Sequence, residues 1–142
     1  MTDIAKAKIL LEQCRRYNLS GVYFLNRLTL EQLAGAYNGI GPEFFQAKLR
    51  EAIDKLHPDL ECCAFIHDNR WEYSDGSYCV FKASNIELAE NGEAIAYQKY
   101  AWYDPRRYLR ARQARLFADL CQTFGWAAYR AAYEKHQKKG NK

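Results

Sequence analysis

The sequence has no apolar run approaching the ~20 residues a membrane span requires. It opens Met1-Thr2-Asp3, with no basic region leading into an apolar one, so no signal peptide is legible. It contains no internal repeat, linker or low-complexity block. These absences lead to the expectation of a cytoplasmic protein. Proline is scarce, three in 142 residues, and each one falls at an expected helix boundary. Cysteine does not occur in an even number: Cys14, Cys62, Cys63, Cys79 and Cys121 make five. The adjacent pair Cys62-Cys63 lacks the C-x-x-C spacing of a zinc or redox site. Reduced, partly buried thiols are therefore expected, as suits a reducing compartment. Acid is scarce at one end, where residues 106–142 carry 10 Lys/Arg against 2 Asp/Glu, a balance of +8. Residues 1–105 carry 11 against 15, a balance of −4.

With 49% hydrophobic and 15% aromatic residues, the chain is far from a disordered composition. Its length suits one domain, residues 1–142, able to bury a core. The apolar spacing is helical almost throughout. Ile4, Ala7, Ile9, Leu10, Leu11 and Cys14 mark a helix over 4–17, broken by Asn18, Ser20 and Gly21. Val22-Tyr23-Phe24-Leu25 reads as a buried helical turn or connector. Thr29 and Gln32 have the form of a capping box, opening a helix that Asn38, Gly39 and Gly41 stop near Tyr37. Pro42 restarts a helix with Phe44, Phe45, Leu49, Ile53 and Leu56 on its core face, and His57-Pro58 ends it. A helix from Leu60 to Tyr73 follows, then a turn over Ser74–Ser77. Tyr78–Phe81 is either a short strand or the lead into a helix over 83–103, which Asn91-Gly92 threatens to break. Asp104-Pro105 caps a long helix, interrupted at Gly125, and the tail 135–142 is expected to fray. The expected fold is a single all-α domain of five or six helices around the 60–73 helix, with a basic helical region over 105–142.

The chemistry is expected on that central helix. Cys63, His67 and Trp71 stand at i, i+4 and i+8 on one face, and Asp68 lies about 100° round from His67. A neutral histidine suits general-base work. A neighbouring carboxylate, joined by carbonyls of the glycine-alternating loop Tyr37-Asn38-Gly39-Ile40-Gly41-Pro42, makes an oxygen-rich site of the kind calcium takes. Trp71 and Tyr37 are the candidate pocket residues. His57, His67 and His136 do not supply the spaced ligand set of a metal phosphohydrolase.

Cys63-Ala64-Phe65-Ile66-His67-Asp68 with Trp71, preceded by Tyr37-x-Gly39-x-Gly41, resembles the core of the phospholipase A2 superfamily over roughly residues 36–92. The likeness is closer to small phage and prophage proteins that carry an asparagine-glycine loop and an Ile-His-Asp helix. The resemblance implies a calcium-dependent lipid or ester hydrolase, or its inactive descendant. His67 would be the base, Asp68 a calcium ligand, and carbonyls near Asn38, Gly39 and Gly41 the rest of the shell. The metal would polarise the ester carbonyl. The sequence departs from the family in four places. Cys63 is one position off the usual disulfide spacing, the loop is short, and Trp71 replaces a tyrosine. The histidine's orienting aspartate is replaced by Asn85, which can accept a hydrogen bond but cannot stabilise an imidazolium by charge.

The second expectation is an interaction surface. Arg106, Arg107, Arg110, Arg112 and Arg115, interleaved with Tyr108, could follow the phosphates of nucleic acid or an anionic surface. They do not form one narrow helical face. Cations at a helix N-terminus oppose its macrodipole, so outside negative charge would balance them. This alternative is a non-catalytic, phage-type accessory protein working through its basic C-terminal helix.

Overall fold

A computed structural model of the chain describes residues 3–37 and 59–140. Among the described residues there are seven helices and no strand: α1 (Asp3–Arg16), α2 (Val22–Leu25), α3 (Leu30–Tyr37), α4 (Leu60–Glu72), α5 (Tyr78–Lys99), α6 (Pro105–Phe124) and α7 (Trp126–Gly140). The all-α class is as expected, and the count exceeds the expected five or six. The expected helix carrying Phe44 to Leu56, and the loop with Asn38, Gly39 and Gly41, lie outside the described residues.

Local chemistry sets most of the boundaries. The α1–α2 connection turns on two left-handed residues, Asn18 and Gly21. The capping box is complete: Thr29 Oγ1 accepts from Gln32 N at 3.1 Å and Gln32 Oε1 accepts from Thr29 N at 2.9 Å. Asp104 caps α6 by accepting from Arg106 N at 2.9 Å, with Pro105 in the first turn. Gly125 separates α6 from α7, and α7 stays helical to Gly140, past the point where fraying was expected.

The helix α4 is the hub, packing on α1, α2, α3, α5 and α7. That position explains its composition. It buries Leu60, Cys62, Cys63, Ala64, Phe65, Ile66, His67, Asn69, Trp71 and Glu72, so it is covered nearly all round rather than along one stripe. Phe65 alone, fully buried, is worth about 3–5 kcal/mol against truncation to alanine.

The longest helix, α5, begins at Tyr78, so the Tyr78–Phe81 stretch is helical and the strand alternative is set aside. Ser77 caps it, accepting from Val80 N at 3.2 Å. The helix then runs unbroken through Asn91-Gly92, in keeping with the single helix expected there. Asn91 is buried and bonds Ser20 twice, accepting from its N–H at 2.9 Å and donating to its carbonyl at 3.0 Å. Gly92 lies where α5 and α6 cross, and a Cβ there would stand 2.2 Å from Ala114 Cβ. The pair that reads as a breaker is a contact point between elements.

All five cysteines are free, four of them buried and Cys79 exposed. Cys14 Sγ reaches the Cys62 carbonyl at 3.4 Å. Hydrogen bonding with Cys62, reinforced by burial, pushes the Cys14 and Cys63 thiols up from their ordinary range. No described helix is long and apolar enough to cross a membrane.

Candidate functional site

His67 sits on the face of α4 turned to α5. Its Nε2 stands 2.7 Å from Asn85 Oδ1. Asn85 in turn donates through Nδ2 to Gln122 Oε1 at 2.8 Å, and Gln122 Nε2 donates to the Tyr78 hydroxyl at 3.0 Å. This ordered run of amides holds the Nε2 edge of the ring, and the Nδ1 edge is turned towards Asp68, whose Oδ1 is 3.7 Å away. The run crosses three helices, α4, α5 and α6, and ends at an exposed tyrosine.

The imidazole is 2% exposed. Trp71 covers it, with ring centroids 4.3 Å apart, as the i, i+4 spacing requires. Trp71 is held by its own bond, Nε1 donating to Ser84 Oγ at 2.9 Å, while Ser84 donates to the Phe81 carbonyl at 2.8 Å. The indole packs on Phe81 and Tyr129, each 5.7 Å away. Gly125 lets the end of α6 approach, since a Cβ there would lie 2.7 Å from Trp71 Cη2. Trp71 is thus a core residue shared by α4, α5 and α7, where the sequence suggested the wall of a cleft.

Asp68 is more open, 29% exposed at its side chain. It lies near Cys121 of α6, a thiol pushed up by burial and then by the Asp68 charge. Tyr37 is elsewhere. It donates to Glu61 Oε1 at 2.8 Å and meets Phe65 edge-on at 5.6 Å. Glu61 and Phe65 share a face about 200° round α4 from His67, so Tyr37 and Trp71 do not line one pocket. Asn38, Gly39 and Gly41 lie outside the described residues.

Calcium takes six to eight oxygen ligands. Of the expected donors Asp68 alone is described, and among the described residues no group of three or more His, Cys, Asp or Glu side chains could hold a metal ion. The described residues do not by themselves fit the ion.

No family model matches the chain, and neither a curated protein nor a solved structure matches it.

Sequence reasoning selected Asn85 and missed Gln122, Tyr78 and Ser84. Ser84 was within reach, one residue before Asn85 on the same helix. Gln122 and Tyr78 carry no local signal, because their partners lie 37 and 44 residues away along the chain.

The five candidate arginines diverge. Arg106 is paired with its neighbour Asp104 and stacks over Tyr100 at 4.9 Å. Arg107 stacks over Tyr97 at 4.7 Å and donates to the Tyr97 and Tyr100 carbonyls. Arg110 donates to Gln113 Oε1 at 2.9 Å. It also lines a small recess with Asp59, Gly92 and Tyr100. Arg112 is exposed, and Arg115 is paired with Glu93.

Proposed function

We propose that this chain is an inactive descendant of the phospholipase A2-like type that its His-Asp helix resembles, a helical scaffold that works through its surface. The observation that carries the reading is the state of His67: a ring 2% exposed, covered by Trp71, with Nε2 bound to an amide. A general base must come within hydrogen-bond reach of the proton it takes, and a buried ring offers a substrate little approach. The amide deepens the point. Asn85 orients the ring but adds no charge to stabilise an imidazolium, and in hydrolytic triads replacing the carboxylate with an amide sharply lowers turnover. His67 and Asn85 then serve as an internal polar staple between α4 and α5, joined at 2.7 Å and carried on to Gln122.

The second reading keeps the activity: calcium-dependent lipid or ester hydrolysis, with His67 as base and Asp68, Asn38, Gly39 and Gly41 around the ion. It is favoured by the direction of Nδ1, which faces Asp68 while Nε2 faces the next helix. Calorimetric titration with calcium, repeated on Asp68→Ala, separates the two. The scaffold reading expects the same small, unsaturating heats from both proteins. A saturable isotherm in the wild type that Asp68→Ala removes would favour the hydrolase.

A further inference from the structure

The corner between α5 and α6 gathers exposed aromatic rings and basic side chains. Residues 97–112 hold five aromatic residues, Tyr97, Tyr100, Trp102, Tyr103 and Tyr108, with five Lys/Arg and a single acid. Trp102 and Tyr103 are each 73% exposed, and Tyr97 and Tyr108 are exposed with them. Large rings at that exposure, close together, mark an interaction site rather than scattered surface residues.

The corner is braced. Tyr108 donates its hydroxyl to the Trp102 carbonyl at 2.9 Å, and Asp104 N donates to the Ala101 carbonyl at 2.9 Å. Arg107 holds the Tyr97 and Tyr100 carbonyls from below while its guanidinium lies over the Tyr97 ring. Trp102 and Tyr103 meet edge to face at 5.6 Å. The single acid, Asp104, is committed to capping α6 and to Arg106. Among the described residues neither Arg107 nor Arg112 pairs with an acid; Arg107 is engaged by neutral carbonyls and a ring, and Arg112 is exposed. Arg107 sits in the first turn of a 20-residue helix, whose positive end also favours an anion.

We propose that this corner binds single-stranded nucleic acid, the phosphates lying along Arg107 and Arg112 and unstacked bases on Trp102 and Tyr103. The proposal deepens the scaffold reading by naming the partner of its surface. Exposed rings combined with guanidinium groups are the recognition chemistry of single strands, and the contact tolerates any sequence because every base has a π-face. A duplex keeps its bases stacked on each other and offers the rings nothing. An anionic bilayer would be met by several aliphatic side chains together with the aromatics, whereas the exposed large apolar side chains over 97–112 are four Tyr or Trp rings and a single aliphatic residue, Leu109. An acidic peptide would use the arginines and leave the rings idle.

The test is fluorescence anisotropy with a labelled oligothymidylate, read beside the quenching of tryptophan emission. The partners compared are the single strand, a duplex of equal length, and vesicles of phosphatidylserine and phosphatidylcholine. The single strand is expected to bind more tightly than the duplex. Affinity should fall as salt rises from about 50 to about 200 mM, with a slope near −0.7 per phosphate neutralised. Trp102→Ala with Tyr103→Ala should weaken binding about tenfold or more, in line with stacking energies of ~1–3 kcal/mol per base. Arg112→Glu should weaken it and flatten the salt slope. These side chains are exposed, so far-UV circular dichroism and melting temperature should stay at wild-type values. Equal affinity for duplex and single strand would overturn the proposal. So would a Trp102/Tyr103 double variant that binds as wild type, or binding confined to the vesicles. Hydrolytic turnover, by contrast, would overturn the reading of His67 and leave the oligonucleotide result standing.

Discussion

Asn85 Oδ1 lies 2.7 Å from His67 Nε2 and fixes the ring from the neighbouring helix. Both residues are buried and so depend on each other, since neither has water to turn to. The bond also sets the ring's orientation, which turns the Nδ1 edge towards Asp68.

Asn85→Ala leaves the buried His67 Nε2 and the Gln122 side-chain amide each without its hydrogen-bond partner in Asn85. The expected loss is about 1–3 kcal/mol of unfolding free energy, the cost of an orphaned buried polar group. Urea denaturation followed by circular dichroism measures it. A variant as stable as wild type would mean that the pair contributes nothing to holding α4 against α5.

Gly92→Ala probes the α5–α6 crossing. The new methyl would stand 2.2 Å from Ala114 Cβ, so the helices must part, at about 1–3 kcal/mol. Combining it with Ala114→Gly should recover part of the loss, because the clash is between these two carbons. A helix-favouring gain from Gly92→Ala alone would contradict the close approach.

Glu72 supplies a pH prediction. It is buried, its Oε2 has no hydrogen-bond partner, and Oε1 lies 3.5 Å from His136 Nδ1. Burial raises its carboxyl above the ordinary value of 4.5, and His136, Lys139 and Lys135 offset this in part. The folded state therefore binds the proton more tightly than the unfolded chain. By linkage this contribution is full below pH 4.5 and is lost as pH rises through the raised folded value. Glu72→Gln removes that loss, so near neutral pH it should be at least as stable as wild type, with the advantage vanishing below pH 4.5. Melting curves across pH 4 to 7 read it directly. A Glu72→Gln protein that is destabilised most at neutral pH would show that the pairing with His136 outweighs the burial.

Much of this architecture is legible in local chemistry. The Thr29–Gln32 box, the Asp104-Pro105 start and the Gly125 interruption each depend on residues within a turn of one another, and each is where the sequence suggests. The short α2 is also where its four apolar residues imply. What sequence pattern misses is decided at long range. Asn91-Gly92 weakens the pattern of a continuous helix because both residues are poor helix formers, but Asn91 is satisfied by Ser20, 71 positions away. Trp71 and Tyr37 read as walls of one pocket, while opposite faces of α4 meet them: Trp71 packs on Phe81, and Phe65 packs on Tyr37. His67 shows the same limit. Its spacing from Trp71 is visible in the sequence, but its burial depends on α5 and α7 folding over that face.

The central claim, that His67 is a structural residue in a scaffold without turnover, is tested most directly by fatty-acid release from phospholipid mixed micelles. Wild type and His67→Gln are assayed with calcium and again with a chelator. The account predicts that wild type releases no more than the protein-free control under either condition, and that His67→Gln is indistinguishable from it. Chelator-sensitive release by the wild type that His67→Gln abolishes would contradict the account and make His67 the base.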